Sequence, residues 1–250
     1  MKILLTNDDG IYAEGIYALY QELKKIATVT VVAPQSERSS VGHGITLSHP
    51  IWYKEIFLHN KLFGYGITGT PADCVKFAIS VILKDKPDLV VSGINLGAND
   101  GCSVIYSGTA AAAREGALLG IPSIAMSLGT FIKPDFRQAA KYGAKLAKIF
   151  AKEGMPKGTF LNVNVPAVKP SLIKGIRMTR QGTEPIHSAF YKRKDPNFRN
   201  YYWMSGKPPV KKTSNDLDTC ALNNRYVTVT PILSDTTDNL FFEKMKERVF

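Results

Sequence analysis

The order of apolar and amphipathic stretches predicts an α/β protein: a three-layer, Rossmann-like, doubly wound and mostly parallel sheet, followed by a C-terminal β-rich oligomerisation extension. Three observations carry this expectation. Strand-like and helix-like signals alternate through the first two thirds of the chain, the pattern of successive βαβ units. Runs such as Leu89-Val90-Val91 are apolar at every position, as strands covered on both faces are. Past about residue 168 the composition shifts to Pro, Lys, Tyr and Gly in short irregular stretches.

The elements follow in order. Lys2-Ile3-Leu4-Leu5-Thr6 has apolar character and no turn former, so it reads as a buried strand, and Asn7-Asp8-Asp9-Gly10 is its exit loop. Residues 11–26 read as a helix, with Ile16, Leu19, Tyr20 and Leu23 at helical spacing. The β-branched run 28–32 is the second strand and ends at Ala33-Pro34. The stretch 64–69 also has strand character, and Thr70-Pro71 then starts a helix over 72–83. A parallel-type strand over 88–93, an Ala-rich helix over 110–119, a short strand over 121–126, an amphipathic helix over 136–150 and a strand over 159–165 complete the alternation. In the last third, Tyr226-Val227-Thr228-Val229-Thr230 alternates as a half-buried strand does, and a final helix is expected near 239–248.

Length and composition bound the function. The 250 residues are expected to form one domain over 1–250, with a core of about 1–168 and an extension over 169–250 that carries oligomerisation segments. A hydrophobic content of 44% with 21% charged residues suits a soluble globular protein. No apolar run approaches the roughly 20 residues of a membrane span, and Asn7-Asp8-Asp9 ends the first apolar stretch too early for a signal peptide. The expected location is the cytoplasm. Cys74, Cys102 and Cys220 are widely spaced and form no Cys-x-x-Cys pair, which argues against a disulfide framework or a thiolate zinc site.

Several motifs could carry chemistry. Asp8 and Asp9 sit at a strand's carboxyl end, the edge at which open α/β sheets bind ligands. The pair reads either as a solvated turn or as a hard-cation site, because two adjacent carboxylates repel unless a cation joins them. The second strand exits into a loop of small polar residues around Ser39, which could add a hydroxyl ligand or be a plain loop. His43 in that loop reads as an acid or base, or as a lone surface histidine. The third exit is polar and glycine-rich, and Tyr106-Ser107-Gly108-Thr109 opens a helix whose free N–H groups could hold phosphate, with Ser107 or Thr109 as an ordinary cap in the alternative. Gly64-Tyr65-Gly66-Ile67-Thr68-Gly69 matches G-x-G-x-x-G, but it reads as strand and does not sit at a strand-to-helix turn, which counts against a nicotinamide enzyme. There is no Walker-type run.

The net charge of +11 is concentrated: residues 169–212 hold eleven Lys or Arg against Glu184 and Asp195. Phe190, Tyr191, Phe198, Tyr201, Tyr202 and Trp203 are threaded through them. Basic residues with aromatics suit a single-stranded nucleic-acid groove or a subunit-interface arm, and the arm is the reading placed first.

Taken together, Thr6-Asn7-Asp8-Asp9-Gly10-Ile11, Val32-Ala33-Pro34 with Arg38-Ser39, Gly69-Thr70-Pro71-Ala72-Asp73-Cys74-Val75, Val91-Ser92-Gly93-Ile94-Asn95, Tyr106-Ser107-Gly108-Thr109 and Asn162-Val163-Asn164-Val165-Pro166 resemble, in order, the SurE (survival protein E) family of metal-dependent nucleotidases. The resemblance covers essentially the whole chain. It implies a 5′-nucleotidase that hydrolyses nucleoside 5′-monophosphates to nucleoside and phosphate, with 3′-nucleotides and short polyphosphate as further substrates. It also implies a homodimer or homotetramer built through C-terminal segments, and one divalent metal cation per subunit, Mg²⁺ or Mn²⁺. Carried over by position, the metal ligands fall on Asp8, Asp9, Ser39 and Asn95, and the phosphate-binding residues on Asn99, Ser107, Gly108 and Thr109. Asp8 and Asp9 are the expected catalytic residues, with Asp9 handling the water's proton; no residue stands out as the acid for the leaving group. Ser40 and Arg225 stand where the family often has Gly, and Asp100 adds a negative charge beside the phosphate loop. The rival reading is a nucleic-acid-binding protein that uses 169–212.

Overall fold

The computed structural model describes residues 1–185, 187–207, 214 and 216–248. Lys211 and Lys212 of the basic segment lie outside the described residues. Among the described residues, one sheet contains β1 (Lys2–Thr6), β2 (Thr28–Pro34), β3 (Tyr53–Leu58), β4 (Lys61–Ile67), β5 (Leu89–Leu96), β6 (Ser123–Leu128), β7 (Thr159–Val165) and β8 (Ile176–Met178). A separate hairpin of β9 (His187–Lys194) and β10 (Asn200–Lys207) follows, and then β11 (Val227–Leu233) returns to the main sheet. The order is β3-β4-β2-β1-β5-β6-β7-β11-β8. Pairing is parallel except at β3 with β4 and at β7 with β11. The expected α/β class is therefore observed, and two strands from beyond residue 168 extend the sheet.

The helices are α1 (Glu14–Leu23), α2 (Pro71–Phe77), α3 (Ser103–Tyr106), α4 (Gly108–Leu118), α5 (Arg137–Glu153), α6 (Asp218–Asn223) and α7 (Asn239–Met245). Side chains alternate across a strand, so the sheet has two apolar faces, and each is covered. Ile3, Leu5, Val31 and Val91 pack with Ile16, Leu19 and Leu23 of α1 and Ala139, Ala140 and Leu146 of α5. Leu4, Val32 and Val90 face the other way, onto Val75 of α2 and Ala112 of α4. β4, β2, β1, β5, β6 and β7 run parallel to one another and point their carboxyl ends to one edge, while β3, β11 and β8 run the other way.

Some boundaries moved. The expected helix over 11–26 begins at Glu14, because residues 11–13 finish the turn, with Ala13 N donating to Gly10 O. The expected helix over 72–83 is α2 followed by a π-helical turn, Ala78–Ile82, closed by Leu83 N to Ala78 O. Ile79, Val81 and Ile82 are β-branched and poor α-formers, which suits a change of pitch there. Strand β3 and the β9–β10 hairpin carried no readable pattern. Their residues are largely exposed, so no burial period marks them. The β3–β4 turn uses His59 and Asn60, both at positive φ (50° and 60°), a two-residue hairpin made without the usual glycine. No helix among the described residues is long and apolar enough to cross a membrane.

Candidate metal and phosphate site

β1 delivers the acid pair to the carboxyl edge, and a buried asparagine shapes the exit. Asn7 Nδ2 donates to Gly10 O at 2.8 Å while Asn7 Oδ1 accepts from Gly10 N at 3.2 Å, so one side chain closes the turn from both sides. Asp8 is 3% exposed, and its Oδ1 accepts a hydrogen bond from Thr109 Oγ1. Asp9 is less deeply placed; its Oδ2 accepts from Leu96 N at 3.2 Å.

The pair is electrostatically strained. Burial raises the Asp8 carboxyl above the ordinary carboxylate range, the Thr109 hydroxyl and nearby backbone amides pull it back, and the charge of Glu37 adds to the rise. Burial and then the Asp8 carboxylate push Asp9 up to about 6, against the pull of the Leu96 amide. Two neighbouring anions destabilised in this way are what a divalent cation relieves. The nearby donors are oxygens, which suits Mg²⁺ or Mn²⁺ and not a thiolate-seeking metal. Among the described residues there is no cluster of three or more His, Cys, Asp or Glu in ligating arrangement, so any cation held here would need neutral oxygens beside Asp8 and Asp9.

Ser39 and Asn95 are such neutral groups. The loop after β2 is tied to the acid turn by Arg38 N, which donates to Asp8 O at 2.7 Å, so Ser39 follows directly on that anchor. Its hydroxyl donates to Glu37 Oε1 at 2.6 Å, which leaves the oxygen's lone pairs available. Asn95 is the penultimate residue of β5, beside Leu96, the residue that binds Asp9. Its Nδ2 is committed to Gly97 O at 2.8 Å, and its Oδ1 has no donor among the described residues. No hydrogen bond joins Ser39 or Asn95 to either acid among the described residues.

The expected phosphate residues fall on two adjoining segments. Ser107 caps α4: its Oγ accepts from Ala110 N at 3.1 Å. Thr109 is not the cap, since its hydroxyl is given to Asp8. Gly108 has to be glycine for space, because a Cβ there would stand 2.8 Å from Asp8 Cβ and 3.1 Å from Pro71 Cγ. The positive end of α4 is thereby brought against the acid pair. Asn99 is 8% exposed, and its Nδ2 donates to Ser127 Oγ at 3.0 Å. Asn99 does not hydrogen-bond to Ser107, Gly108 or Thr109 among the described residues.

A family model described as survival protein SurE matches residues 3–188 of this sequence. The chain belongs to the SurE family. The 5′-nucleotidase SurE of Syntrophobacter fumaroxidans is 46% identical to it over 237 residues, which cover 95% of each chain. That of Thermosipho melanesiensis is 45% identical over 248 residues, 99% of this chain and 97% of the relative. The crystal structure of the SurE protein from Aquifex aeolicus superposes with a TM-score of 0.87 at 40% sequence identity, over 98% of both chains.

Two positions at which glycine was expected have unusual backbone. Ser40 and Arg225 adopt φ of 57° and 69°, the left-handed region in which glycine is at ease. Other residues of this SurE chain gain meaning only from the fold. Glu37 is a third carboxylate close enough to raise both acids. Asp73, 3% exposed, caps α2 together with Thr70 and also accepts from Thr46 N at 3.1 Å and Thr46 Oγ1 at 2.6 Å, which pins the far end of the Ser39 loop. His43 Nε2 lies 2.8 Å from Glu115 Oε2, with Lys76 Nζ 2.8 Å from Glu115 Oε1, so His43 is a loop anchor paired to a buried acid. The readable signal for Asp73 was the Thr-Pro-Ala-Asp start of a helix, a capping arrangement; Glu37 and Glu115 had none.

Proposed function

We propose that this chain is a divalent-metal-dependent phosphomonoesterase that hydrolyses nucleoside 5′-monophosphates to nucleoside and phosphate. The observation that carries the reading is the adjacent pair of a buried Asp8 and a half-buried Asp9, with Asp8 set against the N-terminus of α4, in a chain whose close relatives bear the name 5′-nucleotidase SurE. Asp8, Asp9, Ser39 and Asn95 hold one cation, Mg²⁺ or Mn²⁺. When bound, that cation supplies Lewis-acid polarisation of a phosphoryl oxygen and an acidified water.

The protein's own groups do the rest. Thr109 fixes the rotamer of Asp8 through its hydroxyl, so one carboxylate is held in a single orientation before substrate arrives. Gly108 lets Asp8 pack against the first turn of α4, whose backbone N–H groups and positive dipole end meet developing negative charge on the phosphoryl group. Asn99 contributes a further polar contact from the adjoining loop. Asp9, whose Oδ2 is oriented by Leu96 N at 3.2 Å, is the carboxylate assigned to take the proton of the attacking water. Ser39 and Asn95 are neutral, which keeps the site able to accept a phosphate dianion despite its two acids. The 3′-nucleotides and short polyphosphate present the same terminal phosphoryl group and are further candidate substrates.

The quaternary reading rests on the β9–β10 hairpin. Tyr191 stands opposite Trp203 and Phe190 opposite Met204, on opposite faces of the ribbon. These four side chains are 56–69% exposed, and among the described residues the hairpin pairs with no strand of the main sheet. A lone two-stranded ribbon is marginal in water and a large apolar surface seeks cover, which supports an arm that docks on a second copy in a homodimer or homotetramer.

Phosphate release from a panel of nucleoside monophosphates, with and without chelator and repeated on Asp9→Asn, tests the activity. Loss in chelator, recovery on adding Mg²⁺ or Mn²⁺, and a drop of roughly 100-fold or more in Asp9→Asn are expected. Full activity in chelator would sink the metal-dependent reading.

A further inference from the structure

Asp218 opens α6, is wholly buried, and lies outside the set of residues assigned above to metal, phosphate or proton. Its contacts converge from three segments. Oδ2 accepts from Gly101 N at 2.9 Å, and Oδ1 accepts from Gly182 N at 2.9 Å and from its neighbour Thr219 N at 2.8 Å. Charge-assisted bonds from three N–H groups are what makes a carboxylate tolerable at zero exposure. The surrounding backbone is laced to the same point: Asp218 N donates to Arg180 O at 2.9 Å and Arg180 N to Asp216 O at 2.8 Å. Gln181 Nε2 donates to Gly101 O at 3.1 Å, so both backbone polar groups of Gly101 are taken by the C-terminal segment.

Two residues earlier, β7 does the same to Asn99. Asn99 N donates to Asn164 Oδ1 at 2.8 Å, and Asn99 O accepts from Asn162 Nδ2 at 2.6 Å. The loop from Asn99 to Gly101 is irregular, yet both of its ends are fixed by side chains from residues 60 to 120 positions away in sequence. Gly101 admits this approach because it has φ of 54° and a Cβ there would press on Thr219 Cγ2 at 3.2 Å. The neighbour Asp100 reports the same closeness: burial, and then Asp218, push its carboxyl up to about 6.

We infer that Asp218 is a positioning residue of the phosphate site: by fixing Gly101 it holds the loop that presents Asn99 and leads into the Ser107–Gly108 turn, so residues 180–182 and 217–219 belong to the catalytic apparatus. The inference rests on the nucleotidase reading for Asn99. It differs from a purely structural staple in what it does to substrate: loosening Gly101 should weaken the hold on phosphate and leave the acid pair alone. An amide at 218 presents its NH₂ to a backbone N–H at one of the two oxygen positions, so even the isosteric change breaks the clamp.

The test uses full-length Asp218→Asn, Asn99→Ala, the double variant and Gln181→Ala, with adenosine 5′-monophosphate as substrate and inorganic phosphate as competitor. Asp218→Asn is expected to lower kcat/KM roughly 10–100-fold, mostly through KM, and to weaken inhibition by phosphate in parallel. Its affinity for Mn²⁺ without nucleotide stays within about twofold of the parent, and the double variant is no more than about twofold slower than Asn99→Ala. Gln181→Ala, which frees only Gly101 O, shows the same pattern at roughly 2–5-fold and decides the matter if Asp218→Asn does not fold. A folded Asp218→Asn with a lower melting temperature but parental KM and phosphate inhibition overturns the inference, as does a loss that multiplies with Asn99→Ala. If the parent protein releases no phosphate from any nucleotide, the nucleotidase reading itself has failed. Hydrogen exchange then separates the two failures: faster exchange of the 99–103 amides in Asp218→Asn, with β1 and β5 unchanged, shows a purely structural staple and the positioning role falls with the reading it rests on, and unchanged exchange shows that Asp218 does not hold Gly101 at all.

Discussion

Thr109 Oγ1 donates a hydrogen bond to Asp8 Oδ1, joining the first turn of α4 to the exit of β1 across 101 positions of sequence. The bond gives a single threonine two tasks, since it sits in the helix turn proposed to receive phosphate and also orients a proposed metal ligand. Thr109→Val keeps the volume and removes the donor. The variant is expected to fold, to lose about 1–3 kcal/mol of stability in urea titration, and to release phosphate at least roughly tenfold more slowly. An unchanged rate would show that Asp8 needs no such support.

Asp100 sets a pH dependence whose sign is fixed by its environment. Burial and the nearby Asp218 raise its carboxyl to about 6, above the ordinary 3.8, so the folded chain binds this proton more tightly than the unfolded chain does. Its contribution to stability therefore falls as pH rises from about 4 to about 6, and stays low above that. Asp100→Asn removes the titration. Relative to the parent it should gain stability between pH 4 and pH 7, by about 1–3 kcal/mol in all, measured as the difference in unfolding free energy across that range. A difference that is flat with pH would contradict the burial of this group.

Arg225 is exposed and holds a left-handed φ of 69°. Its backbone N and O are both bonded, to Leu222 O and from Lys174 N, so the conformation is imposed by the turn into β11. Arg225→Gly relieves the clash of Cβ with its own backbone and is expected to stabilise the protein by about 1 kcal/mol, visible as a rise in melting temperature.

The aromatic arm makes a prediction about assembly. Replacing Phe190 and Trp203 by Ser leaves the ribbon's hydrogen bonds intact and removes its exposed apolar surface. Sedimentation or light scattering should then show a shift toward monomer, with the main sheet's far-ultraviolet signature retained. A parent protein that is monomeric at micromolar concentration would argue against the arm as an interface.

Much of this molecule is legible without coordinates because parallel strands buried on both faces leave continuous apolar runs. β1, β2, β5 and β7 announce themselves in that way, and Asp8-Asp9 is conspicuous as charge at the end of one of them. The cap of α4 is legible as Ser107 or Thr109 for a similar reason, since capping is a bond within four residues. β3 and the β9–β10 hairpin are not legible, because exposed strands carry no burial period, and the β3–β4 turn uses His59-Asn60 in place of a glycine signal.

The sequence by itself determined the local facts: strand, exit loop, helix start, and an acid pair at a strand's carboxyl end. Only the tertiary structure decided which of two hydroxyls caps α4 and which binds Asp8, that His43 is a partner of Glu115, and that Asn99 and Gly101 are held by Asn162, Asn164 and Asp218. The physical reason is the same in each case. A buried hydroxyl, imidazole or carboxylate must find its donor or acceptor wherever the fold brings one, and those partners lie 63 to 117 residues away, where no local pattern records them.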